Sequence, residues 1–172
     1  MTNWNDLPQV KKGKIGEQLV RQWLENNGWV IYRPQTSGAH PFDNLCATKD
    51  KKTLMIAEVK TKPARSYYPD TGIDEKALTG YLDIQRKHNL NVFIFFVDEK
   101  AKKIYGGELN KLNDEFMIFH GGRFLNYPRK ETDQRGTRTV YFPLSRMTQI
   151  ANIDDDSVSQ ITRWSTRNPD YD

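Results

Sequence analysis

The sequence predicts an α/β fold, a mixed β-sheet flanked by helices, with a small β-rich elaboration toward its C-terminal end. Three observations carry that expectation. Apolar residues recur at three- and four-residue spacings over two segments, and alternate or run continuously over several others. The two kinds are ordered helix, strand, hairpin, helix, strand, the order of a two-layer or three-layer α/β unit. The chain has 172 residues, 37% hydrophobic and 12% aromatic, enough for one domain with a core of its own.

The first helix is expected over 11–27, where Ile15, Leu19, Val20, Trp23 and Leu24 share a face and Asn27-Gly28 ends the run. Trp29-Val30-Ile31-Tyr32 reads as a strand. Thr36-Ser37-Gly38 breaks both periodicities, so 35–40 reads as a loop. Segments 42–48 and 53–61 form a hairpin around the charged turn Lys49-Asp50-Lys51-Lys52. A loop rich in Pro, Tyr and Gly (62–72) leads to a second helix over 74–88. The run 91–97 is the most apolar strand and reads as central and buried. Further strands are expected at 103–109, 116–119 and 139–144, with a loop or irregular hairpin over 121–138 and a short helix near 158–164. The domain plan is thus a core over 1–110, a β-rich extension over 111–152 and an acidic tail over 153–172.

Composition narrows the function. The single cysteine, Cys46, excludes internal disulfides and a multi-cysteine zinc cage. The longest apolar run, 92–97, is far too short for a membrane span, and 1–9 lacks the pattern of a signal peptide, so a soluble cytoplasmic protein is expected. The formal charge is +4. Residues 153–172 hold five acids against two arginines, so the body is more basic than the whole. A basic body suits a polyanion such as nucleic acid.

The chemistry concentrates on Glu58-Val59-Lys60. This triplet lies inside a strand that opens Leu54-Met55-Ile56-Ala57, and alternation puts Glu58 and Lys60 on one face with Val59 on the other. Other acid-x-Lys triplets, at Asp50, Asp74 and Asp98, fall at a turn, a helix start and a strand end, where charge is ordinary. Pairing around Asp50-Lys51 places Asp43 opposite Glu58. Two facing carboxylates repel unless something neutralises them, and a divalent cation with a taste for oxygen, such as Mg²⁺, would do so. On the second helix, Ala77, Leu78, Tyr81 and Leu82 form an apolar face with Gln85 in its middle, and a buried amide there needs a partner.

A helix bearing Glu17, then Pro41-Phe42-Asp43, then Glu58-Val59-Lys60, then a helix bearing Tyr81 and Gln85, resembles the PD-(D/E)xK nuclease superfamily over about 11–109. The proline stands two residues before the aspartate rather than beside it. Pro69-Asp70 spells the dipeptide but follows Glu58, in the wrong order. The resemblance implies a restriction-endonuclease-like core and a metal-dependent, resolvase-like or endonucleolytic activity on DNA, with Mg²⁺ (or Mn²⁺) as cofactor. It implies Asp43 and Glu58 as metal ligands with the Val59 carbonyl, Glu17 as a further ligand, Lys60 as the residue that orients or activates water, and Gln85 as an accessory catalytic group. Because members often dimerise, a homodimer is compatible with it.

Candidate nucleic-acid contacts are Lys14, His40, Lys62, Arg65 and Tyr81. The stretch 121–138, with Arg123, Arg129, Lys130, Arg135 and Arg138 among Phe124 and Tyr127, offers cations for phosphates and rings for unpaired bases. Plainer alternatives exist: surface charges at Asp43 and Glu58 paired with Lys49 and Lys60, a core amide at Gln85, a structural loop histidine at His40. At the level of function the alternatives are an inactive nuclease-fold module that binds nucleic acid, and a nuclease directed at RNA.

Overall fold

Pro8 at the first helical position, where a missing N–H costs nothing, opens α1 (Pro8–Asn26) in a computed structural model of the chain that describes residues 4–33, 42–134 and 136–165. Then come β1 (Trp29–Tyr32), β2 (Asn44–Thr48), β3 (Leu54–Thr61), β4 (Asp70–Asp74), α2 (Glu75–His88), β5 (Asn91–Asp98) and β6 (Lys103–Glu108). The remainder is α3 (Leu109–Asn113), β7 (Phe116–His120), β8 (Arg123–Tyr127), β9 (Arg129–Thr132), β10 (Arg138–Pro143), β11 (Thr148–Asn152) and α4 (Asp155–Arg163).

Six strands form the main sheet in the order β1-β2-β3-β5-β6-β11. Only β3 and β5 run parallel; every other pair is antiparallel, so the sheet is mixed as expected. The parallel pair needs a crossover, and α2 supplies it. One face of the sheet is covered by α1 and α4: Val20, Leu24 and Ile161 bury themselves against Met55, Ala57, Val59 and Phe95. The other face is covered by α2, α3 and the small sheet β4-β10-β9, through Leu78, Leu109, Leu112, Val140 and Phe142. Phe95 and Phe96 thus point to opposite layers, and both are fully buried. That makes β5 the central strand the apolar run foretold. Among the described residues no helix is long and apolar enough to cross a membrane.

Four differences from the sequence reading have physical reasons. The expected loop over 62–72 ends in β4, whose buried positions are Asp70, Thr71, Gly72 and Ile73, a pattern with little hydrophobic signal. Segment 121–138 holds two strands: β8, folded back on β7 by Gly121-Gly122, and β9. Both turn glycines have positive φ, as a tight two-residue hairpin requires. Residues 148–152 form β11, a polar edge strand of the main sheet. The short helix expected near 158–164 is present but starts earlier, at Asp155: Asp154 caps α4 by accepting the Ser157 N–H at 2.8 Å, and Asp155 and Asp156 lie in its first turn, where the helix dipole favours them.

One glycine fixes the approach of α1 to the sheet. A Cβ on Gly16 would stand 1.9 Å from Thr61 Oγ1 and 3.1 Å from Thr61 Cβ, and a β-branched side chain has little freedom to retreat. Gly16→Ala is therefore expected to cost about 1–3 kcal/mol through overpacking. In urea denaturation the double variant Gly16→Ala/Thr61→Ala should recover part of that loss, which a defect unrelated to this contact would not show.

Candidate active site

The β2–β3 hairpin builds the site. Its register pairs Asn44 with Ala57 and Leu45 with Ile56, so one step further Asp43 meets Glu58, as the turn position predicts. The meeting is direct. The Val59 N–H donates to Asp43 Oδ2 at 2.8 Å, and the Asp43 N–H donates to Glu58 Oε2 at 3.3 Å. Alternation is also as expected: Ala57 and Val59 face the α1 layer, while Ile56 packs in the α2 layer. Glu58 is only 3% exposed. A carboxylate so deep needs partners, and it has them: Lys60 Nζ lies 2.6 Å from Oε1, and the Tyr81 hydroxyl donates to the same oxygen. Lys60 also reaches the Tyr81 oxygen at 3.3 Å.

The electrostatics follow from burial and like charge. Burial first, then the neighbouring charges of Glu58 and Glu17, push the Asp43 carboxyl from an ordinary 3.8 up to about 7, against the Val59 hydrogen bond and Lys60. Glu17, half-buried on α1, is also raised by burial and by Glu58, with Arg33 and Arg21 opposing. Burial pulls the Lys60 ammonium down, but Glu58 and Asp43 outweigh it and leave Lys60 above its ordinary value. The Tyr81 phenol is raised by burial and by Glu58, so it remains a donor.

The structure therefore gathers Asp43, Glu58, Val59 and Lys60, with Glu17 within electrostatic reach. It also brings in Tyr81, in a different role from the one expected. At 6% exposure, with its hydroxyl spent on Glu58, it holds a carboxylate rather than offering a ring to nucleic acid. The signal was present in the sequence: a tyrosine on an apolar helix face must find a partner for its hydroxyl. Gln85 lies one turn further along α2, half-buried, and its Oε1 is enclosed without a hydrogen-bond partner, so it does not join Lys60. Lys14 is exposed and bonds Asn5 Oδ1 at 2.9 Å. Lys62 is half-buried, its ammonium lowered to about 8 by burial against the charge of Asp74. His40 and Pro41 lie outside the described residues.

Arg65 is the clear correction. Its Nε and Nη2 each lie 2.6 Å from a carboxylate oxygen of Asp70, its Nη1 lies 2.7 Å from Glu131, and its guanidinium stacks 3.6 Å from the Tyr141 ring centre. Asp70 is fully buried and also accepts the Tyr127 hydroxyl at 2.7 Å. This arginine ties β4 to β9 and β10 and has little left for a phosphate. Pro69-Asp70 is accordingly a structural element and no part of the carboxylate pair.

Carboxylate oxygens at Asp43 and Glu58, with the Val59 carbonyl, form a hard donor set. Among the described residues no three His, Cys, Asp or Glu side chains close into a cage of their own. Two carboxylates would fit an ion such as Mg²⁺, which takes one or two of them and keeps several waters. Lys60 neutralises Glu58 only in part, since Glu58 still helps burial to raise the Asp43 pKa, and a cation at the pair would relieve that.

Two outcomes follow. Asp43 has a folded-state pKa above its unfolded value, so its contribution to stability is present at low pH and lost as pH rises through about 7. In EDTA, thermal melts of the parent should fall relative to Asp43→Asn over that window, and the variant should be the more stable above it. Arg65→Ala leaves Asp70 buried without its cation and is expected to cost about 3–5 kcal/mol in urea denaturation, while Lys14→Ala at the surface should unfold like the parent.

No family model matches the chain, and no curated protein matches it in sequence. Among solved structures, it is similar to a Holliday junction resolvase from Archaeoglobus fulgidus, with a TM-score of 0.45 and 14% identity over 59% of this chain and 81% of that one. It is also similar to a nuclease from a fusselovirus, with a TM-score of 0.42 and 9% identity over 88% of this chain and 89% of the other.

Proposed function

We propose that the chain is a metal-dependent nuclease that hydrolyses phosphodiester bonds in DNA. The observation that carries this reading is the opposed Asp43–Glu58 pair, with Glu58 buried, Asp43 half-buried and Lys60 beside them. A binding module has no use for two carboxylates held together at the cost of a carboxyl pushed to about 7. The basic net charge of +4 supports a polyanionic substrate.

Each residue has a defined task. Tyr81 and Lys60 fix the Glu58 carboxylate in one rotamer, and the Val59 N–H fixes Asp43, so the donor set is arranged before substrate arrives. Asp43 and Glu58, with the Val59 carbonyl, would hold Mg²⁺, which would supply acidification of the attacking water and neutralisation of phosphate charge. Lys60 stays protonated at neutral pH, because its carboxylate neighbours raise it. It is therefore a cation for a phosphate oxygen or an orienting donor for the attacking water, and not a general base.

Supercoiled plasmid, linear duplex, single-stranded DNA and a four-way junction, each with Mg²⁺, Mn²⁺ or EDTA, test the reading. Cutting should require the metal and fall by about 10²–10³ in Asp43→Ala and Lys60→Ala. No cleavage of any substrate by the parent, or cleavage unchanged in both variants, would sink the proposal. Tyr81→Phe should stay folded and raise the Mg²⁺ concentration for half-maximal cutting by about 10–100-fold, a shift that a purely structural tyrosine would not produce.

A further inference from the structure

The β7–β8 hairpin has one face against the domain and one face bare. Ile118, Leu125 and Tyr127 pack on Tyr68 and Tyr141. The opposite face presents Met117, Phe119 and Phe124, each more than half exposed. Phe119 and Phe124 are directly paired across the strands, with ring centres 5.2 Å apart and planes at 62°, and they are 66% and 65% exposed. Two edge-to-face rings left in water next to a tight glycine turn need a use.

The charge around them indicates which one. From Phe116 to Lys130 the chain contains no acid, while Arg123 and His120 stand at the tip. Arg123 has no acidic partner among the described residues; its Nη2 bonds the Tyr68 hydroxyl at 2.7 Å. The nearest acid before the hairpin, Glu115, is roughly 17 Å down the strand from the tip at about 3.4 Å per residue. A polyanion with exposed flat faces matches both the bare rings and the cations beside them.

The tip is also tied to the catalytic strand. β3, which carries Glu58 and Lys60, continues into residues 62–69, and there the Tyr67 carbonyl accepts from His120 Nε2 at 3.2 Å, next to the Tyr68–Arg123 bond. Tyr67 is seven positions from Lys60, so this anchor of the tip lies within about 25 Å of Lys60 even for a fully extended connection. The highly exposed Tyr67 ring adds a third aromatic to this edge.

We infer that Phe119 and Phe124 form a stacking platform for unpaired bases, so that the substrate class is DNA with exposed bases, whether single-stranded, bulged or branched. This rests on the nuclease reading of the Asp43–Glu58 site and names its substrate. Base–aromatic stacking is indifferent to sequence and needs only an accessible ring face, while Arg123 takes the backbone.

Fluorescence anisotropy in EDTA tests it, with the full chain and three labelled oligonucleotides of one length: a single strand, a perfect duplex and a duplex with a central bulge. The F119S/F124S variant, altered only at exposed positions, should bind the single strand and the bulged duplex about five-fold or more weakly per stacked base, with perfect-duplex affinity unchanged. Phe124→Tyr should bind all three like the parent. Equal losses on all three oligonucleotides, or none on any, overturns the platform. So does a parent dimer in sedimentation velocity that F119S/F124S converts to monomer without loss of single-strand binding, since the face then belongs to a second copy. If the parent binds these oligonucleotides but cuts none with Mg²⁺, the nuclease reading fails while the platform is judged on binding alone.

Discussion

The antiparallel register of β2 against β3 is the constraint on which the site depends. Pairing Asn44 with Ala57 leaves Asp43 within hydrogen-bonding distance of both the Val59 amide and the Glu58 carboxylate. A slip by one residue would turn every β2 side chain to the other layer and send the aspartate toward α1. The register is secured by the turn, where Thr48 and Asp50 bond each other at 2.6 Å and Lys52 and Thr53 donate back to them, and by Cys46 and Leu45 in opposite cores. Packing decides the register, and the carboxylates bear its electrostatic consequence.

A second node, Arg65 with Asp70, holds the smaller sheet to the end of β3. The guanidinium satisfies a fully buried carboxylate, reaches Glu131 on β9 and lies flat on Tyr141 of β10. Burial alone would lower its pKa; Asp70 and Glu131 raise it instead, so the charge is permanent. Through this node the layer that covers α2, and with it Tyr81, is braced against the strand that carries Glu58.

What the sequence disclosed and what it hid divide along the same physical line. The hairpin, the central strand, both long helices and the opposition of Asp43 to Glu58 were legible because each rests on hydrophobic period or on turn position. β4 was not, because Asp70 and Gly72 are buried for reasons outside their own segment. The aspartate meets an arginine five residues away and a distant tyrosine, and a Cβ on Gly72 would lie 2.4 Å from the Val140 carbonyl oxygen. Arg65 looked like a phosphate contact since no local pattern distinguishes a free arginine from one enclosed by a partner 66 residues on. Tyr81 stood on the right face, but its hydroxyl partner is across the layer, beyond the reach of a helical wheel. Gln85 was read as needing a partner, and its oxygen has none.

The packing of α4 on α1 bears on how the chain comes to be folded. Val20 and Leu24, near the beginning, share a core with Ile153 and Ile161, near the end. During synthesis α1 can form as a helix, but its apolar stripe has no full cover until the last of these residues has left the ribosome. The sheet can cover part of that stripe early, but the share of it that meets Ile161 must wait for some 140 residues of chain. A contact of such long sequence separation slows closure of the α1 layer, whereas the β2–β3 hairpin, local in sequence, can assemble early. The carboxylate pair would then be in place before the layer on the opposite face of the sheet is sealed.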